Sequence, residues 1–140
     1  MARAVLDPNV LVSALISPSG PSAELLAELR LGAFELVTSP LLLSELEEVL
    51  RREKFRRYIT EAEVEAFVDL VRRESILVDD PEPSSTPASE DPGDEYLIAL
   101  ARAARTDALV SGDPHLLRLR TLIPAKTSRE YLDELRARDR

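Results

Sequence analysis

Short apolar runs alternate along this chain with longer stretches of helical periodicity, and that alternation restricts the fold more than any other feature. The runs ARAVLD (2–7), FELV (34–37), SILV (75–78), ALVS (108–111) and the weaker TLI (121–123) read as strands. The stretches between them carry helix start and stop signals. A first helix covers 9–16. Ser22 is the expected cap of a second, AELLAELRLG, which stops at Gly32. Ser39 followed by Pro40 opens a third that runs to about residue 52. Thr60 with Glu63 resembles a capping box and starts a fourth, through Glu74. A fifth spans 94–105, and a last capped helix begins at Ser128. Strands joined by crossover helices pair in parallel, with helices on both faces of the sheet. The expected class is α/β with a central, mostly parallel sheet.

Two segments do not fit the alternation. RREKFRRY (51–58) reads as a basic helical connection. DDPEPSSTPASEDPG (79–93) holds four of the ten prolines and can be neither a helix nor a central strand. It is expected to be a surface loop rather than a linker, because neither flank alone can close a core. The whole of 1–140 is then one domain, large enough to bury about two thirds of its unfolded surface.

Composition narrows the chemistry. The absence of cysteine excludes disulfides, thiolate zinc sites and cysteine nucleophiles. One histidine, His115, excludes a histidine-rich metal site. The charge balance of 18 basic against 26 acidic residues, net −8, disfavours non-specific nucleic-acid binding, although a basic patch or a bound cation can still recruit a polyanion. No signal-like N-terminus and no apolar run of membrane-spanning length is visible, so a soluble cytoplasmic protein without a membrane partner is expected.

Open parallel sheets bind ligands beyond the carboxyl ends of their strands, where the strand order reverses. Asp7 ends the first strand and Asp113 lies just past the fourth, so the two converge if those strands are neighbours. Each also has a plainer reading, as a helix cap and as part of a Gly-Asp-Pro turn. In SPLLLSELEEVL, Leu42, Leu43, Leu46, Val49 and Leu50 form the inward stripe, and Glu45 lies closest to its edge. Glu47 and Glu48 turn further away and can pair with Arg51 and Arg52. In DPGDEYLIALA, Asp94 lies beside the apolar stripe while Glu95 points nearly opposite. Four acids from independent elements near one end of one sheet repel each other unless a cation neutralises them. Oxygen-only ligands select hard cations such as Mg²⁺ or Mn²⁺, which suit phosphodiester hydrolysis.

Four segments in order, VLDPNVLVSALIS, ELVTSPLLLSELEEVLRREKF, DPGDEYLIALA and DALVSGDPHLL, resemble the PIN-domain family, in particular its VapC-like toxins of toxin–antitoxin pairs. The resemblance implies a three-layer α/β/α sandwich of the Rossmann-like kind and a Mg²⁺- or Mn²⁺-dependent ribonuclease acting on single-stranded RNA. Carried over by position, Asp7, Glu45, Asp94 and Asp113 are the catalytic acids. Asp7, Asp94 and Asp113 hold the metal, with Glu95 in place of Asp94 or beside it. Asn9 orients Asp7, and Ser111 supplies a hydroxyl at the end of the fourth strand. Pro8 and Ser111 stand where threonine is commoner in the family. The resemblance also implies a homodimer and an antitoxin that presents Arg or Lys to the acids. The basic strip of Arg51, Arg52, Lys54, Arg56 and Arg57 is the expected guide for RNA, its plainer reading being a solvated helix face.

Two rival readings belong to other classes. LVDD (77–80), Ser111 and Lys126 faintly mimic a phospho-acceptor signalling domain, but such domains need paired acids after the first strand, where this chain has Asp7-Pro8-Asn9. The other rival is a catalytically silent PIN-like module that binds RNA or a partner protein.

Overall fold

A computed structural model of the chain describes residues 2–82 and 92–138. Strand β1 (Arg3–Leu6) leads directly into α1 (Pro8–Ile16), and α2 (Pro21–Arg30) follows a short turn. Then come β2 (Glu35–Thr38), α3 (Pro40–Leu50), α4 (Glu61–Arg73) and β3 (Ser75–Leu77). After the Pro-rich segment come α5 (Glu95–Ala103), β4 (Ala108–Val110), α6 (Pro114–Leu117), β5 (Ala125–Lys126) and α7 (Ser128–Arg138).

All five strands are parallel, in the order β3-β2-β1-β4-β5. The apolar runs of β1, β2 and β4 are buried on both faces, as a central parallel strand requires. β3 lies at the edge, and its Ile76 and Leu77 are exposed. Helix α1 packs on α2 and α3, α3 on α4, and α2 on α7, while α5 lies on β1 and β4. The result is a three-layer α/β/α sandwich. No single helix among the described residues is long and apolar enough to cross a membrane.

Local signals hold where they are self-contained. The Ser39 hydroxyl accepts from the Leu42 N–H, with Pro40 at the first helical position. Thr60 and Glu63 close both halves of their capping box. Gly32 ends the α2 turn at φ +83°, where a side chain would be strained.

Other expectations are corrected. Ser22 does not cap α2: Gly20 occupies that position, and the Ser22 hydroxyl lies 3.0 Å from the Ser128 hydroxyl of α7. TLI (121–123) is not a strand. Pro124, which lacks an N–H, delays pairing to Ala125–Lys126, and Ile123 is buried from a turn instead. The turn at Gly-Asp-Pro is the start of α6. The basic connection is a single 3₁₀ turn (Glu53–Phe55) rather than a helix. The fifth helix begins at Glu95, after a 3₁₀ turn over Pro92–Asp94. Within the Pro-rich loop, 79–82 is neither helix nor strand, and 83–91 lies outside the described residues.

Candidate functional site

The strand order reverses between β1 and β4, whose register pairs Leu6 with Val110. Asp7 and Ser111 are therefore side by side at the carboxyl ends of adjacent strands, with the Asp7 N–H donating to the Val110 carbonyl at 2.9 Å. Asp7 Oδ1 accepts from the Asn9 backbone N–H at 3.0 Å, which caps α1. Its Oδ2 accepts from the Ser111 hydroxyl at 2.8 Å. Ser111 Oγ in turn accepts from the Asp113 N–H at 3.0 Å, and Asp113 Oδ1 accepts from the His115 N–H at 2.9 Å. The Asn9 contact is made by its amide, not by its side chain, so the orienting group expected from the sequence is backbone. Pro8 costs α1 nothing, because the first helical N–H has no partner to lose.

Asp7 is only 3% exposed. Burial pushes its carboxyl above the usual value, against the two donors from Asn9 and Ser111, and the Asp113 charge adds to the rise. The Glu45 carboxyl is also raised, first by burial, with Tyr96 and Arg52 opposing and Asp7 and Glu48 assisting. Tyr96 Oη donates to Glu45 Oε2 at 3.1 Å, and burial together with that carboxylate keeps the phenol protonated. Sequence reading missed Tyr96. Its position two residues after Asp94 is visible, but its contact depends on α5 meeting α3.

Asp7, Glu45, Asp94 and Asp113 line one cavity of about 190 Å³, together with Asn9 and Arg52. Glu95 does not line it. A second cavity of about 400 Å³ shares Asp7, Asn9 and Asp113 and continues past Ser13, Ser22 and Ser128. The basic strip divides. Arg51 is held by Glu47 (2.5 Å) and Glu61 (2.7 Å), and Lys54 Nζ lies 5.0 Å over the Phe55 ring. Arg56 and Arg57 are exposed, and only Arg52 lines the acid cavity. The Glu48–Arg52 pair suggested by helical spacing does not form: Arg51 keeps a helical backbone as the cap of α3, whereas the backbone turns extended at Arg52. Of the residues suggesting a phospho-acceptor, Asp80 accepts from the Leu41 N–H and Lys126 pairs with Glu134.

The donors in the acid cavity are carboxylates and an amide, a set suited to a hard cation and to no soft one. Among the described residues no three acids or histidines already converge as a closed ligand set. A cation that keeps several waters does not need one, since one or two carboxylates then suffice for direct contact.

Fold and site together define an α/β/α protein with an acid-lined cavity at its topological switch point. A PIN-domain family model matches residues 3–115, and the chain belongs to the PIN-domain family. Solved structures of similar fold include PAE2754 from Pyrobaculum aerophilum, with a TM-score of 0.68 and 16% identity, covering 97% of this chain and 96% of that one. Another is VapBC2 from Rickettsia felis bound to a DNA fragment from their promoter, with a TM-score of 0.60 and 15% identity, covering 89% and 98%. No curated protein matches the chain.

Proposed function

We propose that the protein is a Mg²⁺- or Mn²⁺-dependent endoribonuclease for single-stranded RNA, built as one domain over 1–140. The observation that carries this reading is the single cavity shared by Asp7, Glu45, Asp94 and Asp113, which four separate parts of the chain supply. Asp7, Asp94 and Asp113 would hold the cation, and the position of Asp94 in the lining favours it over Glu95 as the third acid. The bound cation supplies a more acidic water and stabilises charge on the phosphate. Glu45, steadied by the Tyr96 hydroxyl, orients the attacking water and takes its proton. The new P–O bond forms as the bond to the leaving ribose oxygen breaks. Ser111 keeps Asp7 and Asp113 in register through one hydroxyl.

The likeness to VapBC2 supports a place in a bacterial toxin–antitoxin pair, and the family resemblance implies a homodimer acting in the cytoplasm. Its partner is then an antitoxin segment presenting Arg or Lys to the acids, drawn in by the net charge of −8. Cleavage of single-stranded RNA should stop in EDTA and return with Mg²⁺ or Mn²⁺. Cleavage by pure protein that persists in EDTA would contradict the mechanism. The lack of a closed ligand set favours one second reading, a silent PIN-like binding module. RNA that is bound but left intact with either cation would establish that reading instead.

A further inference from the structure

We propose that Arg52 is the phosphate-binding residue of the site, its guanidinium taking a non-bridging oxygen of the phosphodiester received by the acid cavity. This rests on the nuclease reading and adds to it the group that meets the substrate rather than the cation. Glu45, Val49 and Arg52 all line the cavity, at spacings of four and then three residues along one side of α3 and its end. Among the described residues Arg52 contributes the one positive charge in that lining, and Glu45 feels it. Yet its side chain makes no ion pair or hydrogen bond with any described residue. Its neighbour Arg51 is the opposite case, committed to Glu47 and Glu61.

That difference has a chemical use. A phosphodiester entering a cavity of four carboxylates meets like charge on most sides, and a cation offsets only part of it. An arginine fork adds a directional contact to phosphate oxygens that a spherical ion does not give. It can do so only while uncommitted to a carboxylate. A plain counter-charge for the acids would instead be paired with one, as Arg51 is with its glutamates.

The test uses single-stranded RNA binding by fluorescence anisotropy at several salt concentrations, in an Asp7→Asn background expected to cut too slowly to interfere. Arg52→Ala should weaken binding about tenfold and flatten the log–log salt dependence by roughly 0.7, the value of one phosphate contact on a single strand. Arg52→Lys should recover the slope but not the full affinity, and Arg51→Ala should cause a much smaller loss. With Asp7 intact, Arg52→Ala should raise KM for RNA while melting with the parent protein. Parental affinity and slope in Arg52→Ala, or an equal loss in Arg51→Ala, would overturn the proposal. The two readings fail separately. Binding that depends on Arg52 in a parent that never cuts removes the nuclease and leaves the phosphate site. Cleavage with an unchanged KM in Arg52→Ala removes only the phosphate site. A parent that neither binds nor cuts RNA removes both.

Discussion

Several helices in this protein begin with an acid that accepts a backbone N–H, and at two of them, α1 and α7, the acids have opposite character. At α7, Glu130 takes the Thr127 N–H at 2.8 Å while the Thr127 hydroxyl takes the Glu130 N–H at 3.1 Å. Arg120 pairs with the same carboxylate at 3.1 Å. The Thr127 contacts and this arginine hold the Glu130 carboxyl below the usual value. At α1, Asp7 takes the Asn9 N–H in the same way but is buried, faces Asp113 and has no ion pair among the described residues; its carboxyl is raised. A cap explains the first acid completely. It explains only one oxygen of the second, and it does not explain why a carboxylate stays in a setting that disfavours its charge.

Substitutions can break that comparison at either end. The largest effect is expected from Asp7→Asn. Asparagine caps a helix as well as aspartate does, so α1 should survive, and loss of a repelling charge should leave the metal-free melting temperature equal or higher. RNA cleavage should fall by roughly 10²–10³-fold, the scale of losing one preorganised electrostatic contact. A variant that melts well below the parent would make Asp7 a structural cap like Glu130.

Ser111→Ala should come next. The buried hydroxyl serves both Asp7 and Asp113, and its removal should cost about 1–3 kcal/mol in denaturant unfolding. As support for an acid that faces the cation, it should also lower Mn²⁺ affinity about tenfold. Thr127→Ala is the matched change at the other cap. It should cost about 1 kcal/mol of stability and leave cleavage at the parental rate.

The smallest effect is in pH dependence without metal. Asp7 binds its proton more tightly folded than unfolded, so between its ordinary value of 3.8 and its raised folded value stability falls as pH rises. Glu130 works the other way: its contribution is present above its ordinary value of 4.5 and lost as pH falls through its lowered folded value. Asp7→Asn should reduce the first slope to the share that the raised Glu45 carboxyl contributes and keep the second, which urea midpoints across mildly acid pH would show.

The same contrast explains what could be read from the sequence. The caps at Ser39 and Thr60 are written within four residues, and both are as expected. Asp7 and Asp113 are legible because an acid at a strand end has a position set by the sheet, and the adjacency of β1 and β4 brings the two together. Ser22, Tyr96 and Arg52 are not legible in the same way. Ser22 looks like a cap until α7 sets Ser128 against it, and Tyr96 looks like core until α3 sets Glu45 within reach. Arg52 and Arg51 are identical in sequence terms, and only the end of α3 sends one to the acids and the other to Glu61.

The central claim, that the acids at the β1–β4 switch form a cation site, is tested most directly by melting temperature against Mn²⁺ concentration for the parent and Asp7→Asn. A ligand that binds only the folded state raises stability with its concentration. The account predicts a melting temperature that climbs with Mn²⁺ in the parent and stays level in Asp7→Asn. A level parent curve, or equal climbs in both proteins, would contradict it.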